Sequence, residues 1–245
     1  AVVALALREL DLGDEAVRRG LDWMVGLQSR SGGWGAFDAD NEALWLYRLP
    51  ICDFGKVTDE PTADVTAHAL EALVHEAAYG PSMESGLEWL LSEQEADGSW
   101  FGRWGVNHVY GTGAAVPALE ACGLPPGHPA IRRALAWLDS VQQPSGAFGE
   151  DILSYSDAAA RGRGAPTPSQ TAWALLAYVS GGAAKGLSTR RAAEYLCETQ
   201  RGDGDWDERH FTGTGFPLDF MIGYHLYRLT FPLLALGRLR ERLNG

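Results

Sequence analysis

The chain has little of what several function classes require. Its 245 residues include three cysteines, Cys52, Cys122 and Cys197, with no CxxC pair and no histidine at zinc-like spacing. That argues against a disulfide scaffold or a thiolate metal centre and for reduced thiols in a reducing compartment. Basic residues are outnumbered, 20 Lys and Arg against 32 Asp and Glu for a net charge of −12, which excludes a nucleic-acid partner because phosphate binding needs a basic stripe. The histidines His75, His108, His128, His210 and His225 form no metal-binding spacing, so no metal site is expected. No long hydrophobic run exists either: the longest, Phe216 to Leu236, is broken by Pro217, Asp219, Arg228 and Pro232 and does not read as a membrane span. Ala1 is followed by a helical apolar pattern without a charged lead-in or cleavage site, which is unlike an export signal. With 46% hydrophobic and 21% charged residues, the chain can build a real core, and one domain is the simplest reading.

A repeat is present. Four times an aromatic precedes a glutamine by five residues and a second aromatic follows it by six: Trp23–Gln28–Trp34, Trp89–Gln94–Trp100, Trp137–Gln142–Phe148 and Tyr195–Gln200–Trp206. Each copy reads as a helix with apolar residues three and four apart, ended by a Gly-rich turn that carries the second aromatic. Between the copies lie more apolar helical stretches, Thr62 to Ala78, Val109 to Ala121, Pro168 to Val179 and one within Pro217 to Arg240, while Ala1 to Leu10 reads as another. A helix wet on one side suits an outer layer, and one apolar nearly all round must be buried. The pattern therefore predicts an all-α chain of about nine helices in an incomplete α/α barrel, with a straight solenoid or a bundle as the alternatives. The glutamine amide is expected to serve open backbone groups at helix ends and to stack on the following indole, which gives the four turn aromatics a structural task.

Three further stretches carry a resemblance: Ser99-Trp-Phe-Gly-Arg-Trp-Gly-Val-Asn107, Thr167-Pro-Ser-Gln-Thr-Ala-Trp-Ala-Leu175, and Thr212-Gly-Thr-Gly-Phe-Pro217 followed by Asp219-Phe220. With the repeats, which look like QW motifs, they resemble bacterial squalene–hopene cyclases from Ala1 to the C-terminus. The resemblance implies a terpenoid cyclase-like α6/α6 toroid. Residues 1–245 would be the C-terminal portion of the catalytic barrel domain, and a second barrel domain and the Asp-x-Asp-Asp-Thr segment would lie upstream. It further implies a proton-initiated carbocation cascade from squalene to hopene or hopanol, without a cofactor, in a cytoplasmic enzyme seated monotopically on the inner face of the cell membrane. Asp38-Ala-Asp40 is only a partial echo of the acid motif and reads as a solvated turn. The chain by itself is accordingly expected to be inactive. Its expected partners are squalene, a membrane surface, the upstream half of the enzyme and a second copy in a homodimer; the alternative is a non-catalytic remnant that binds apolar ligands or self-associates.

Individual residues follow. Asp64 and His68 stand four apart on one face of a helix and can touch, either as a plain polar pair near the helix start, where Asp64 suits the helix dipole, or as a functional pair. The resemblance makes them, with Tyr110, the support of the proton donor, because a cation beside a carboxylic acid strengthens it. Phe216, Phe220, Tyr224 and Tyr227 fall four, four and three apart, one stripe along a helix. Such a stripe is usually plain core, yet ring faces also attract cations by ~0.5–2 kcal/mol each without quenching them. The resemblance places Phe37, Phe216 and Phe220 near mid-cascade cations, Trp104 near the start, Tyr224 and Tyr227 as shape-holders, and Ile222 as an influence on product shape; Phe37 stands where a tyrosine is common. Ile51, Cys52 and Phe54 resemble the constriction of an apolar substrate channel, or form a buried turn.

Overall fold

The computed structural model describes residues 1–43, 45–46, 58–217 and 219–245. Among them nine α-helices alternate between two layers. The outer layer holds α2 (Asp14–Gly26), α4 (Gly80–Ser92), α6 (Pro129–Val141) and α8 (Leu187–Thr199). The inner layer holds α1 (Val2–Glu9), α3 (Ala63–Leu73), α5 (His108–Ala121), α7 (Pro168–Ser180) and α9 (Tyr227–Asn244). In the inner layer α5 packs between α3 and α7, and α7 packs on α9, so the architecture is an incomplete α/α barrel.

Burial follows the sequence pattern. Every residue of α7 is buried, as is α5 from His108 to Leu119, whereas α2 buries only Val17, Leu21 and Met24, one narrow stripe. Each large side chain so enclosed contributes about 1.5–3 kcal/mol, and this places the centre of stability on α5 and α7.

The repeats lock the layers together through hydrogen bonds. Gln28, Gln94 and Gln142 each donate from Nε2 to two carbonyls: one in the same turn (Gly32, Gly98, Gly146; 2.7–3.0 Å) and one near the start of the next outer helix (Ser82, Ala130, Ser188; 2.8–2.9 Å). Trp34, Trp100 and Trp206 send their indole N–H back to the preceding outer helix, at Met24, Leu90 and Leu196, over 2.7–2.8 Å. The backbone N–H of Trp34, Trp100 and Phe148 donates inward to the hydroxyl of Thr66, Thr112 and Thr171 on the inner helices. The turn glycines are obligatory: Gly98 has φ +100°, and a Cβ there would lie 2.6 Å from the Arg133 carbonyl of the next outer helix.

One expectation fails. Phe216 and Phe220 do not continue a helical stripe into Tyr224 and Tyr227; they belong to an antiparallel hairpin, β1 (Gly213–Phe216) and β2 (Phe220–Ile222), and helix begins only at Tyr227. The cause is local. Gly213, Gly215 and Gly223 favour no helix, Pro217 lacks an N–H, and the residue before a proline is pushed out of the helical region. Gly213 also bridges to Gly105, which ties the hairpin to the turn ahead of α5.

Candidate active site

The inner helices enclose an open cavity of about 1110 Å³, walled by α1, α3, α5, α7 and α9. Its aromatic wall is a cluster around Trp173: Tyr110 lies 4.7 Å away centroid to centroid, Phe231 5.3 Å and Tyr227 6.0 Å, the last two edge-on. Gly113 lets α5 and α7 approach here, since a Cβ on it would meet Trp173 at 2.8 Å. Burial pushes the Tyr110 phenol well above its ordinary pKa, with the Asp64 carboxylate adding to the shift, and pushes Tyr227 up to about 12. Both are neutral rings at physiological pH.

Of the residues expected from sequence, His68, Tyr110 and Tyr227 line this cavity. His68 Nε2 lies 3.4 Å from the Tyr110 hydroxyl, and Nδ1 lies 3.5 Å from Glu71. The Asp64–His68 contact is replaced: Asp64 is fully buried, its Oδ2 accepts the backbone N–H of Trp104 over 2.8 Å, and its Oδ1 has no hydrogen-bond partner among the described residues. Spacing by four puts both side chains on one flank of α3, but the Trp104 turn offers Asp64 a closer donor.

Trp104, Phe37, Phe216, Phe220, Ile222 and Tyr224 sit on the turn, loop and hairpin that precede inner helices. Phe37 meets Trp104 edge-on at 5.6 Å, and Tyr224 packs on Tyr227 at 4.7 Å. Phe37, Phe220 and Tyr224 are 68%, 56% and 43% exposed. Asp38 and Asp40 form the surface turn expected of them, with Asp40 paired to Arg30. Ile51, Cys52 and Phe54 lie outside the described residues.

Sequence reasoning missed several residues. Trp173 and Phe231 read as ordinary core of apolar helices, although Trp173 lies within the quoted Thr167–Leu175 stretch and Phe231 follows Tyr227 by one turn. Asp59 holds the loop of Phe37 by accepting the N–H groups of Phe37 and Asp38. Glu150 caps α5 from another segment, accepting from Asn107 and Val109 N–H and facing the His108 ring at 3.2 Å. Burial alone would raise this carboxyl, but the bonds to His108 and the α5 backbone hold it below the usual range.

Comparison with known proteins bears on the whole chain. The family profile described as "Squalene-hopene cyclase C-terminal domain" matches residues 1–241. The squalene–hopene cyclase of Alicyclobacillus acidocaldarius is 51% identical over 254 aligned residues, covering 100% of this chain and 40% of that protein. That of Zymomonas mobilis is 41% identical, covering 98% of this chain and 38% of its own. The chain thus spans about two fifths of the length of these relatives. Among solved structures, the type II terpene cyclase MstE from Scytonema in complex with merosterolic acid A superposes with a TM-score of 0.66 at 19% identity, over 94% of this chain and 68% of that one, which shows a common fold.

Proposed function

The chain belongs to the squalene–hopene cyclase family, and on that premise we propose that residues 1–245 form the C-terminal portion of the catalytic barrel domain of a triterpene cyclase. The complete protein would convert squalene to hopene or hopanol by a proton-initiated carbocation cascade, an isomerase and intramolecular-transfer chemistry. The observation that carries this reading is the cavity of about 1110 Å³ walled by Tyr110, Trp173, Tyr227 and Phe231. A folded C30 chain needs a volume of that order, and aromatic rings on its wall stabilise transient cations by ~0.5–2 kcal/mol each.

In this mechanism Tyr110 and His68 stand on the wall where the donor acts. The Tyr110 phenol and the His68 ring orient and polarise the acid, while Trp104 and Phe37 face the early and middle cations. Phe216, Phe220, Ile222 and Tyr224, carried by the hairpin and the loop after it, shape the cavity mouth. The 245 residues contain no Asp-x-Asp-Asp-Thr, so the donor would come from the portion of the protein outside them. Among the described residues no helix is long and apolar enough to cross a membrane. In this reading substrate would be drawn from a bilayer by a protein resting on its cytoplasmic surface, with Ile51, Cys52 and Phe54 as the channel constriction.

Incubating the full-length protein with squalene in detergent and analysing the extract by gas chromatography tests the proposal. Hopene or hopanol is expected from the full-length protein and no cyclised product from residues 1–245 alone; unconverted squalene with the folded full-length protein would refute it.

A further inference from the structure

Trp104 has an unusual support. Its indole N–H is buried and makes no hydrogen bond among the described residues, so nothing polar on the ring itself fixes how the ring faces. The peptide groups around it are, by contrast, all held. The Trp104 N–H donates to Asp64 Oδ2 over 2.8 Å, and the Trp104 carbonyl accepts from Thr214 N–H of β1 over 3.3 Å. The two flanking carbonyls, Gly105 at 2.8 Å and Arg103 at 3.3 Å, both accept from one hydroxyl, that of Tyr155. The Arg103 guanidinium then lies 4.4 Å from the centroid of the Trp104 ring.

Tyr155 ends a short 3-10 turn, Ile152–Tyr155, in the excursion between α6 and α7. The excursion is anchored on both sides: Asp151 N–H donates to the Arg163 carbonyl, and Arg161 pairs with Glu95 and Asp97 at 3.3 Å. The Tyr155 ring is further fixed edge-on against Phe101 at 5.7 Å. A rigid donor therefore reaches the turn from a segment that contributes nothing to the cavity wall.

We propose that Tyr155 is a positioning residue for the cyclisation: its hydroxyl, bridging the carbonyls of Arg103 and Gly105, sets the orientation in which Trp104 faces the cations. Asp64 and Tyr155 grip opposite polarities of the same turn, one taking its N–H and the other serving its carbonyls. Burial, with the nearby Asp64 and Glu150 carboxylates, raises the Tyr155 phenol well above its ordinary pKa, so it stays a donor across the working range. Losing the hydroxyl strips the Arg103 and Gly105 carbonyls of their donor and leaves their peptide planes held only through Trp104 N–H on Asp64 and Val106 N–H on Thr212, and small misplacements of a reacting-site group cost up to about a hundredfold in rate.

The inference rests on the reading of Trp104 as a ring that meets the cascade, and a double-mutant cycle in the full-length protein separates the two. Tyr155→Phe, Trp104→Leu and the double variant are compared in kcat, KM, product fractions and Tm. The expected result is that Tyr155→Phe lowers kcat by about ten- to a hundredfold with KM nearly unchanged, raises early-terminated products, and has no further effect on kcat in the Trp104→Leu background. An equal loss in both backgrounds, or unchanged kcat and products, would overturn the role of Tyr155 while leaving that of Trp104 intact. Unchanged kcat and products in Trp104→Leu itself would remove the premise and the inference with it. Should Tyr155→Phe not accumulate, Tyr155→His keeps a ring N–H at this place: retained hopene-type products support the proposal, and a loss equal in both backgrounds overturns it.

Discussion

The third and fourth repeats share one spacing and end differently. In the third, half-buried Gln142 donates to Gly146 of its own turn and to Ser188 of the next outer helix; in the fourth, exposed Gln200 donates, among the described residues, to Gly204 alone. Two residues past each turn aromatic stands a glutamate that caps an inner helix: Glu150 accepts from the start of α5, and Glu208 from Ser169 near the start of α7. The His108 ring completes the first cap and helps hold Glu150 below its usual range despite burial. Burial dominates at Glu208 and raises it, with only partial relief from Ser169, Thr212 and Arg228. The same motif is thus a closed joint in one place and a looser one in the other, and the difference lies in what the neighbouring element supplies.

The contrast can be broken from the Glu150 side with the largest effect. Glu150→Ala leaves the buried His108 ring and two helix N–H groups without an acceptor, and a loss of about 3–5 kcal/mol in the urea unfolding free energy is expected. Glu208→Ala, by removing a carboxyl whose charge is already disfavoured, should cost clearly less. Next come the glutamines. Gln142→Leu strips two carbonyls of their donor and should cost about 1–3 kcal/mol by the same assay, whereas Gln200→Leu should stay within about 0.5 kcal/mol; equal costs would show that the bridge to the next helix carries nothing.

The pH dependence sharpens the comparison further. Glu150 has a depressed folded pKa, so its contribution is complete above its unfolded value and is lost as pH falls through the folded one. Glu208 has a raised folded pKa, so its contribution is present at low pH and is lost as pH rises through that value. Melting curves over the acid range should therefore lose their acid-side slope in Glu150→Gln and become steeper there in Glu208→Gln. The smallest effect concerns self-association. Val2, Val3 and Leu233 are exposed on α1 and α9, and residues 1–245 alone should show concentration-dependent oligomers by sedimentation larger than any formed by the full-length protein.

The layered helices were legible because burial imposes a period: α2 and α6 show one apolar stripe, and α5 and α7 none that is polar. The four glutamines were legible because their geometry repeats. The hairpin was not, since aromatics four, four and three apart mimic a helical stripe and only Gly215, Pro217 and Gly223 speak against it. The partner of Asp64 was not legible either: spacing by four permits contact with His68 but cannot reveal a free N–H that arrives from forty residues away at Trp104. Trp173, Phe231 and Tyr155 were hidden for the same reason, because a ring inside an apolar helix or a loop reads alike whether it faces a cavity, a neighbour or a carbonyl.

The claim on which the rest depends is that the space among the inner helices receives the isoprenoid chain. Photolabelling the full-length protein with a diazirine-bearing squalene analogue and mapping the labelled peptides tests it directly. Labels within 108–121, 168–180 and 227–244, the segments that carry Tyr110, Trp173 and Phe231, are the predicted result; labels confined to the outer helices at 14–26, 80–92, 129–141 and 187–199 would contradict it.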